Sequence, residues 1–229
     1  FQSFLWDATH LFRFIAQSLI LQLTNNRLIP IIEKPSVNTI PALEMTDSST
    51  PNTSAPALFK VVVTGSECTG KTTLVQALAA RFRTTFSTEG ARNYLNQVQR
   101  PLNFSDVEPI AHRQISLEGE AVEQAEKLVI LDTDLLSTVI YSRHYYGECK
   151  NWIVEMAESR IADLYLLCDI DVPWTEDGLQ RDKGEPEQRI QVHQAFISEL
   201  NRIQAPHAIL SGGADTRLGH AKAIIESNL

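Results

Sequence analysis

Gly65-Ser66-Glu67-Cys68-Thr69-Gly70-Lys71-Thr72 decides the fold of this chain, because it fits the spacing G-x-x-x-x-G-K-[ST] between a strand-like run and a helix-like run. Upstream, Phe59-Lys60-Val61-Val62-Val63-Thr64 is β-branched and short enough for a buried strand; downstream, Leu74, Ala77, Leu78 and Phe82 recur at helical spacing. The two glycines let the backbone curl with its N–H groups turned inward, and the following helix presents its positive end to the same anion. A phosphate is the expected guest. Residues Gly65, Ser66, Glu67, Cys68, Thr69, Gly70, Lys71, Thr72 and Thr73 are therefore read as the cradle of a nucleotide such as ATP. Within it, Lys71 reaches the β/γ-phosphates as a point charge and the Thr72 hydroxyl ligates Mg²⁺.

Outward from that loop, 229 residues with 43% hydrophobic and 21% charged content suit one α/β domain of about 170 residues plus an extension. A net charge of −8, without any Lys/Arg run, argues against nucleic acid or an anionic membrane as the main partner. The nucleotide must then be held by local groups. Cys68, Cys149 and Cys168 are scattered and contain no C-x-x-C pair, which supports neither a disulfide framework nor a zinc site and points to a reducing, cytoplasmic setting. Cys68 reads as a small filler of the loop.

Residues 1–33 read as an N-terminal helical extension. Leu11 to Leu23 is apolar but broken by Arg13, Gln17, Ser18 and Gln22, short of the about 20 residues a membrane span needs. It has no basic n-region or small-residue cleavage site. Residues 34–58, with Pro35, Pro41, Pro51 and Pro56 among Ser, Thr and Asn, read as a flexible linker. Met45 inside it offers an alternative start, which would make the first 44 residues read-through. Residues 59–229 are the domain proper.

Within that domain the pattern alternates. Thr84–Ser87 is a second strand ending near Glu89, and Arg92, Tyr94 and Val98 follow at helical spacing. Ser105 caps a long helix, 105–127, with Val107, Ile110, Ala111 and Ile115 on its stripe. Leu128–Leu131 is a wholly apolar strand that ends in Asp132-Thr133-Asp134. Helices over 135–146 and 152–161 precede a strand at 164–169. Asp171 to Arg189 mixes Pro, Gly and charges without an apolar period and reads as a mobile lid loop. A helix over 190–203, a strand at 207–210 and a helix over 216–228 complete an α/β domain: a parallel five-stranded sheet with helices on both faces and ligands at the strands' carboxyl ends.

Those strand ends carry the candidate chemistry. Asp132, mounted on an apolar strand, suits a second metal-organising carboxylate, and either it or Asp134 also suits the N-cap of the next helix. Glu89 either takes the proton of an attacking hydroxyl or pairs with Arg92 three residues on. Arg181, Lys183 and Arg189 lie in the lid, where arginine suits either clamping of phosphoryl oxygens or pairing with the loop's own Asp and Glu residues. Trp174 either seats a substrate ring or anchors the lid by burial. His112, His144 and His193 have no partners at ligand or triad spacing and read as structural or solvated.

Taken together, Gly65–Thr73, Glu89-Gly90-Ala91-Arg92-Asn93-Tyr94, Asp132-Thr133-Asp134-Leu135-Leu136 and Asp163–Leu167 followed by Pro173-Trp174 and Asp177-Gly178 resemble the NadR-type ribosylnicotinamide kinase domain, over 59–229. The resemblance implies a P-loop NTPase fold that uses ATP and Mg²⁺ to phosphorylate nicotinamide riboside to nicotinamide mononucleotide, in NAD biosynthesis or salvage. It implies Lys71, Glu89, Asp132, Arg181 and Arg189 in catalysis, Thr72 and Asp132 at the metal, and Glu89, Arg92, Gln114, Asp134 and Trp174 toward a nucleoside-like substrate. Another nucleoside or small alcohol as acceptor, or a regulatory ATP-binding module, remains the alternative. Two departures stand out. The adenylyltransferase histidine motif of fused relatives is absent, so the chain matches at most the kinase half. Thr88 stands where nicotinamide-riboside-using relatives carry an aromatic residue before the glutamate, which removes one stacking ring; Tyr94 or Trp174 would have to supply it.

Overall fold

The computed structural model describes residues 57–174 and 186–229. The expected N-terminal extension, all of the expected linker except residues 57 and 58, and Asp177, Gly178, Arg181 and Lys183 of the expected lid lie outside those residues.

Strand β1 (Phe59–Thr64) forms the middle of the sheet because its side chains are apolar on both faces. Val61 and Val63 enter one core with Leu74, Val75 and Leu78 of α1 (Lys71–Phe82) and Ala221 and Ile225 of α7 (Ala214–Glu226). Val62 enters the other with Leu136 and Ile140 of α4 (Leu135–Tyr146) and Val192, Phe196 and Leu200 of α6 (Pro186–Arg202). The same alternation of period two runs through β3 (Leu128–Asp132) and β4 (Leu164–Cys168), so helices cover both faces.

The strand order is β2-β3-β1-β4-β5, all parallel, with β2 (Thr85–Ser87) and β5 (His207–Leu210) at the edges. Among the described strands, only the edge ones expose large apolar side chains, Phe86 and Ile209. Strand order was not readable from local pattern, and it matters here. Adjacent β1 and β3 hand the chain to α1 and α4 on opposite faces, which opens a crevice between their carboxyl ends.

The remaining helices are α2 (Gly90–Val98), α3 (Val107–Glu123) and α5 (Asn151–Ser159); α3, α4 and α5 share a third core through Ala111, Val139 and Ile153. The start of α3 corrects one expectation: the capping residue is Asn103 and not Ser105. Asn103 Oδ1 accepts from Ser105 N–H over 2.9 Å while Asp106 Oδ2 accepts from Asn103 N–H over 2.9 Å, a capping box on the 3-10 turn Phe104–Asp106. Among the described residues, no helix is long and apolar enough to cross a membrane.

Candidate functional site

The loop between β1 and α1 needs its first glycine for space as well as for angle. Gly65 has φ +131°, and a Cβ there would lie 2.8 Å from the Cys168 carbonyl oxygen of the neighbouring strand. Gly70, at φ +79°, is the N-cap of α1 and supplies no side-chain cap, and the first turn carries no acid. The positive end of α1 is thereby left for an external anion. Within the loop, Thr69 Oγ1 and Lys71 Nζ both donate to the Ser66 carbonyl, each over 2.8 Å. The ammonium lies folded over the cradle that it would serve.

Two buried arginines brace the loop from outside. Arg217 of α7 donates to Thr69 O over 2.6 Å, to Gly212 O over 2.8 Å and to Asp169 O over 3.0 Å, and it pairs with Asp171. Arg189 of α6 donates to Val172 O over 2.8 Å and Cys68 O over 3.4 Å. Arg189, expected as a phosphoryl clamp, gives two guanidinium nitrogens to protein carbonyls, while its Nε is enclosed with no partner among the described residues. Arg217 was missed by the sequence reading. Its only signal was Gly212-Gly213 opening a helix at a strand's carboxyl end.

Asp132 ends β3 directly across from the start of α1. Its Oδ2 accepts from Thr72 Oγ1 over 2.7 Å, while Oδ1 is enclosed with no partner among the described residues. Burial, with the Glu89 charge second, pushes this carboxyl up to about 6 against the pull of Lys71. An unpaired carboxylate oxygen beside a hydroxyl fits a hard divalent cation that takes its remaining ligands from phosphate and water. Thr72 and Asp132 are the residues that would hold Mg²⁺.

Asp134 takes the second of its two expected roles, the N-cap of α4. Its Oδ1 caps α4 by accepting from Leu136 N–H over 3.1 Å and Ser137 N–H over 3.4 Å, and Oδ2 accepts from Tyr165 OH over 2.7 Å. Burial, then the Glu118 charge, pushes it up to about 7. Helix capping claims the side chain.

Two cavities open at these strand ends. The larger, about 690 Å³, is lined by Cys68 to Leu74 together with Asp215, Arg217 and Leu218. The smaller, about 450 Å³, is lined by Glu67, Leu95, Ile110, Gln114, Thr133 and Tyr141 among others. Cys68, Lys71, Glu89 and Arg92 border both. Glu89, at the N-terminus of α2, lies 4.0 Å from Arg92 Nε, so the ion pair and the cleft position coexist.

Gln114 joins the second cavity to the framework. Its Oε1 accepts from Gly90 N–H over 2.8 Å, and its Nε2 donates to Glu118 over 3.0 Å and Thr133 O over 3.2 Å. Gly90 must lack a side chain, since a Cβ would lie 2.9 Å from Gln114. Glu118, pushed up by burial, is paired with Arg160 at 2.8 Å. Neither ring expected to replace the missing aromatic reaches either cavity: Tyr94 OH donates to Asp106 over 3.0 Å, and Trp174 lines neither. Tyr141 of α4 is the ring in the wall, hidden from the sequence reading inside an apolar helical stripe. His193, read as lacking a partner, has Asp169 at 3.5 Å, and burial pushes its pKa down.

The chain is similar to known proteins over this domain. The Trifunctional NAD biosynthesis/regulator protein NadR of Salmonella typhimurium is 32% identical over 153 residues, which cover 64% of this chain and 37% of that protein. A crystal structure of NadR protein in complex with NR matches with a TM-score of 0.59 at 25% identity, over 74% of this chain and 51% of the other. A second, in complex with NAD and AMP-PNP, matches with a TM-score of 0.60 at 25% identity, over 74% and 49%. The chain thus spans little more than a third of the curated relative and about half of the solved ones. The model of the AAA domain family AAA_28 matches residues 60–217, and with the glycine loop, the parallel sheet and the paired Thr72 and Asp132 in place, the chain belongs to that family.

Proposed function

We propose that this chain is an ATP- and Mg²⁺-dependent small-molecule kinase that phosphorylates the 5′-hydroxyl of nicotinamide riboside. The observation that carries the reading is the shared wall: the cavity around the phosphate loop and the smaller cavity meet at Lys71, Glu89 and Arg92. A module that only bound or hydrolysed ATP would have no need of the second chamber. NadR relatives, one solved with NR and one with AMP-PNP, support both guests.

The larger cavity takes the nucleotide, with its phosphates at the start of α1 and Lys71 moving from the Ser66 carbonyl to a phosphate oxygen. Mg²⁺, when bound at Thr72 and Asp132, neutralises the charge of the phosphate oxygens. At the shared mouth, Glu89 accepts the proton of the acceptor hydroxyl as its oxygen bonds to the terminal phosphorus and the bond to ADP breaks. Arg92 stabilises the charge on the transferring group. A carboxylate at that mouth suits an uncharged hydroxyl better than an acceptor phosphate. Glu67 and the ring of Tyr141 in the smaller cavity suit a flat cationic base.

The test is ADP release from the chain with Mg·ATP, with and without nicotinamide riboside and a panel of nucleosides. Acceptor-dependent turnover that is lost in Glu89→Gln and in Lys71→Ala supports the assignment. Hydrolysis indifferent to every acceptor would mark an ATPase module instead.

A further inference from the structure

Thr133 stands between Asp132 and Asp134 with φ +63°. A β-branched side chain crowds its own backbone there, and the conformation persists only where neighbours impose it. They do so on both sides. Thr133 N–H donates to Val63 O over 3.0 Å, and Gln114 Nε2 donates to Thr133 O over 3.2 Å. The residues before and after it are fixed as well, Asp132 N–H by Ser87 Oγ at 3.2 Å and Asp134 by its cap and by Tyr165. Glycine would adopt this angle without crowding, yet the chain carries threonine.

The turn sends Thr133 into the wall of the smaller cavity, beside Gln114, Ser137 and Thr138. The residue as a whole is only 4% exposed, and what exposure it keeps is on the wall of that cavity. A hydroxyl on a nearly buried cavity-wall residue, held there at the expense of backbone comfort, is suited to pair with a ligand group. Glu89 borders both cavities whereas Thr133 borders only the smaller, so the reacting hydroxyl belongs at the mouth and Thr133 meets a different part of the acceptor.

We infer that Thr133 is a specificity-determining residue of the acceptor cavity, its strained backbone delivering a hydroxyl to a secondary hydroxyl of a sugar-bearing acceptor. This rests on the kinase reading above and deepens it to a preference for ribosides over deoxyribosides. Threonine supplies both donor and acceptor, which matches a ring hydroxyl.

The experiment compares wild type, Thr133→Ser and Thr133→Val in ADP release with Mg·ATP, using nicotinamide riboside and its 2′-deoxy and 3′-deoxy forms as probes. Valine keeps the branched shape and loses the hydroxyl. The expected result is an acceptor KM raised roughly tenfold in Thr133→Val, with the ATP KM and Tm unchanged and the preference for the riboside over one deoxy form abolished. Thr133→Ser stays close to wild type. If valine prevents folding, Thr133→Ala, which eases the crowding, gives the same KM effect. An unchanged acceptor KM in the hydroxyl-free variants overturns the inference, as does an equal loss of Tm and of both KM values in serine and valine alike. A wild-type chain that turns over none of the probes or the nucleoside panel sinks the kinase reading itself; an active wild type with an unaffected Thr133→Val sinks only the role of Thr133.

Discussion

Thr72 Oγ1 donates to Asp132 Oδ2 over 2.7 Å, tying the first turn of α1 to the carboxyl end of β3, while the second oxygen of Asp132 has no partner among the described residues. The two residues are sixty positions apart and meet because β1 and β3 are paired strands. Their bond spans the crevice that the strand order opens. A buried carboxylate with one idle oxygen is costly to the empty protein, and several measurements follow from that cost.

In the metal-free protein, the Asp132 carboxyl titrates near 6 when folded and near its ordinary 3.8 when unfolded. A raised folded value means that its contribution to stability is fully present below about 4 and is lost as pH rises through about 6. Asp132→Asn should therefore be the more stable chain above pH 6, by on the order of 2–3 kcal/mol, with the advantage fading toward pH 4. Thermal melts with a chelator present check this. The same variant should lose Mg·ATP turnover by about 100-fold or more. A stability difference that does not vary with pH would contradict the assignment.

Asp134→Asn should behave oppositely toward catalysis. Asparagine keeps a cap for α4 and leaves both cavities untouched, so kcat and both KM values should stay within roughly twofold of wild type. Steady-state kinetics decide it. A tenfold fall in kcat with normal melting would return Asp134 to the reacting centre.

Gly65→Ala should destabilise by roughly 2–4 kcal/mol and abolish nucleotide binding, since the new methyl meets the Cys168 carbonyl at an angle that alanine resists. Gly147→Ala is the control. It shares a positive φ, +76°, but has open space around it, so only about 1 kcal/mol should be lost. Equal losses at the two positions would mean that the close approach of β4 is not what limits the loop.

Arg217→Met should raise the ATP KM at least tenfold and lower stability by roughly 2–4 kcal/mol, because the Thr69, Gly212 and Asp169 carbonyls lose a charged donor together. The acceptor KM should not move. Isothermal titration with an ATP analogue and a melting curve test both parts. Unaltered ATP affinity would show that the brace from α7 is dispensable.

The chain's own order of residues settled much of this. The glycine loop announced itself because phosphate binding by backbone amides demands fixed spacing, and spacing is a local property. The three inner strands were legible because parallel strands buried on both faces must be apolar throughout, as Val61–Val63, Leu128–Leu131 and Leu164–Leu167 are. The boundaries were less clear where a side chain reached across a turn, as Asn103 does in place of Ser105.

Tertiary structure alone decided which strand ends became neighbours, and with that which residues met. Asp134 had a local signature as a helix cap, but that Asp132 faces Thr72 while Asp134, two residues on, turns away is fixed by strand order and by the bend at Thr133, which have none. Arg217 and Tyr141 entered the cavity walls in the same way, from helices whose patterns marked only a buried face. Short-range rules govern a loop that binds through its own amides. A pocket assembled by packing distant segments has no such rule, so its lining appears only once the chain has folded.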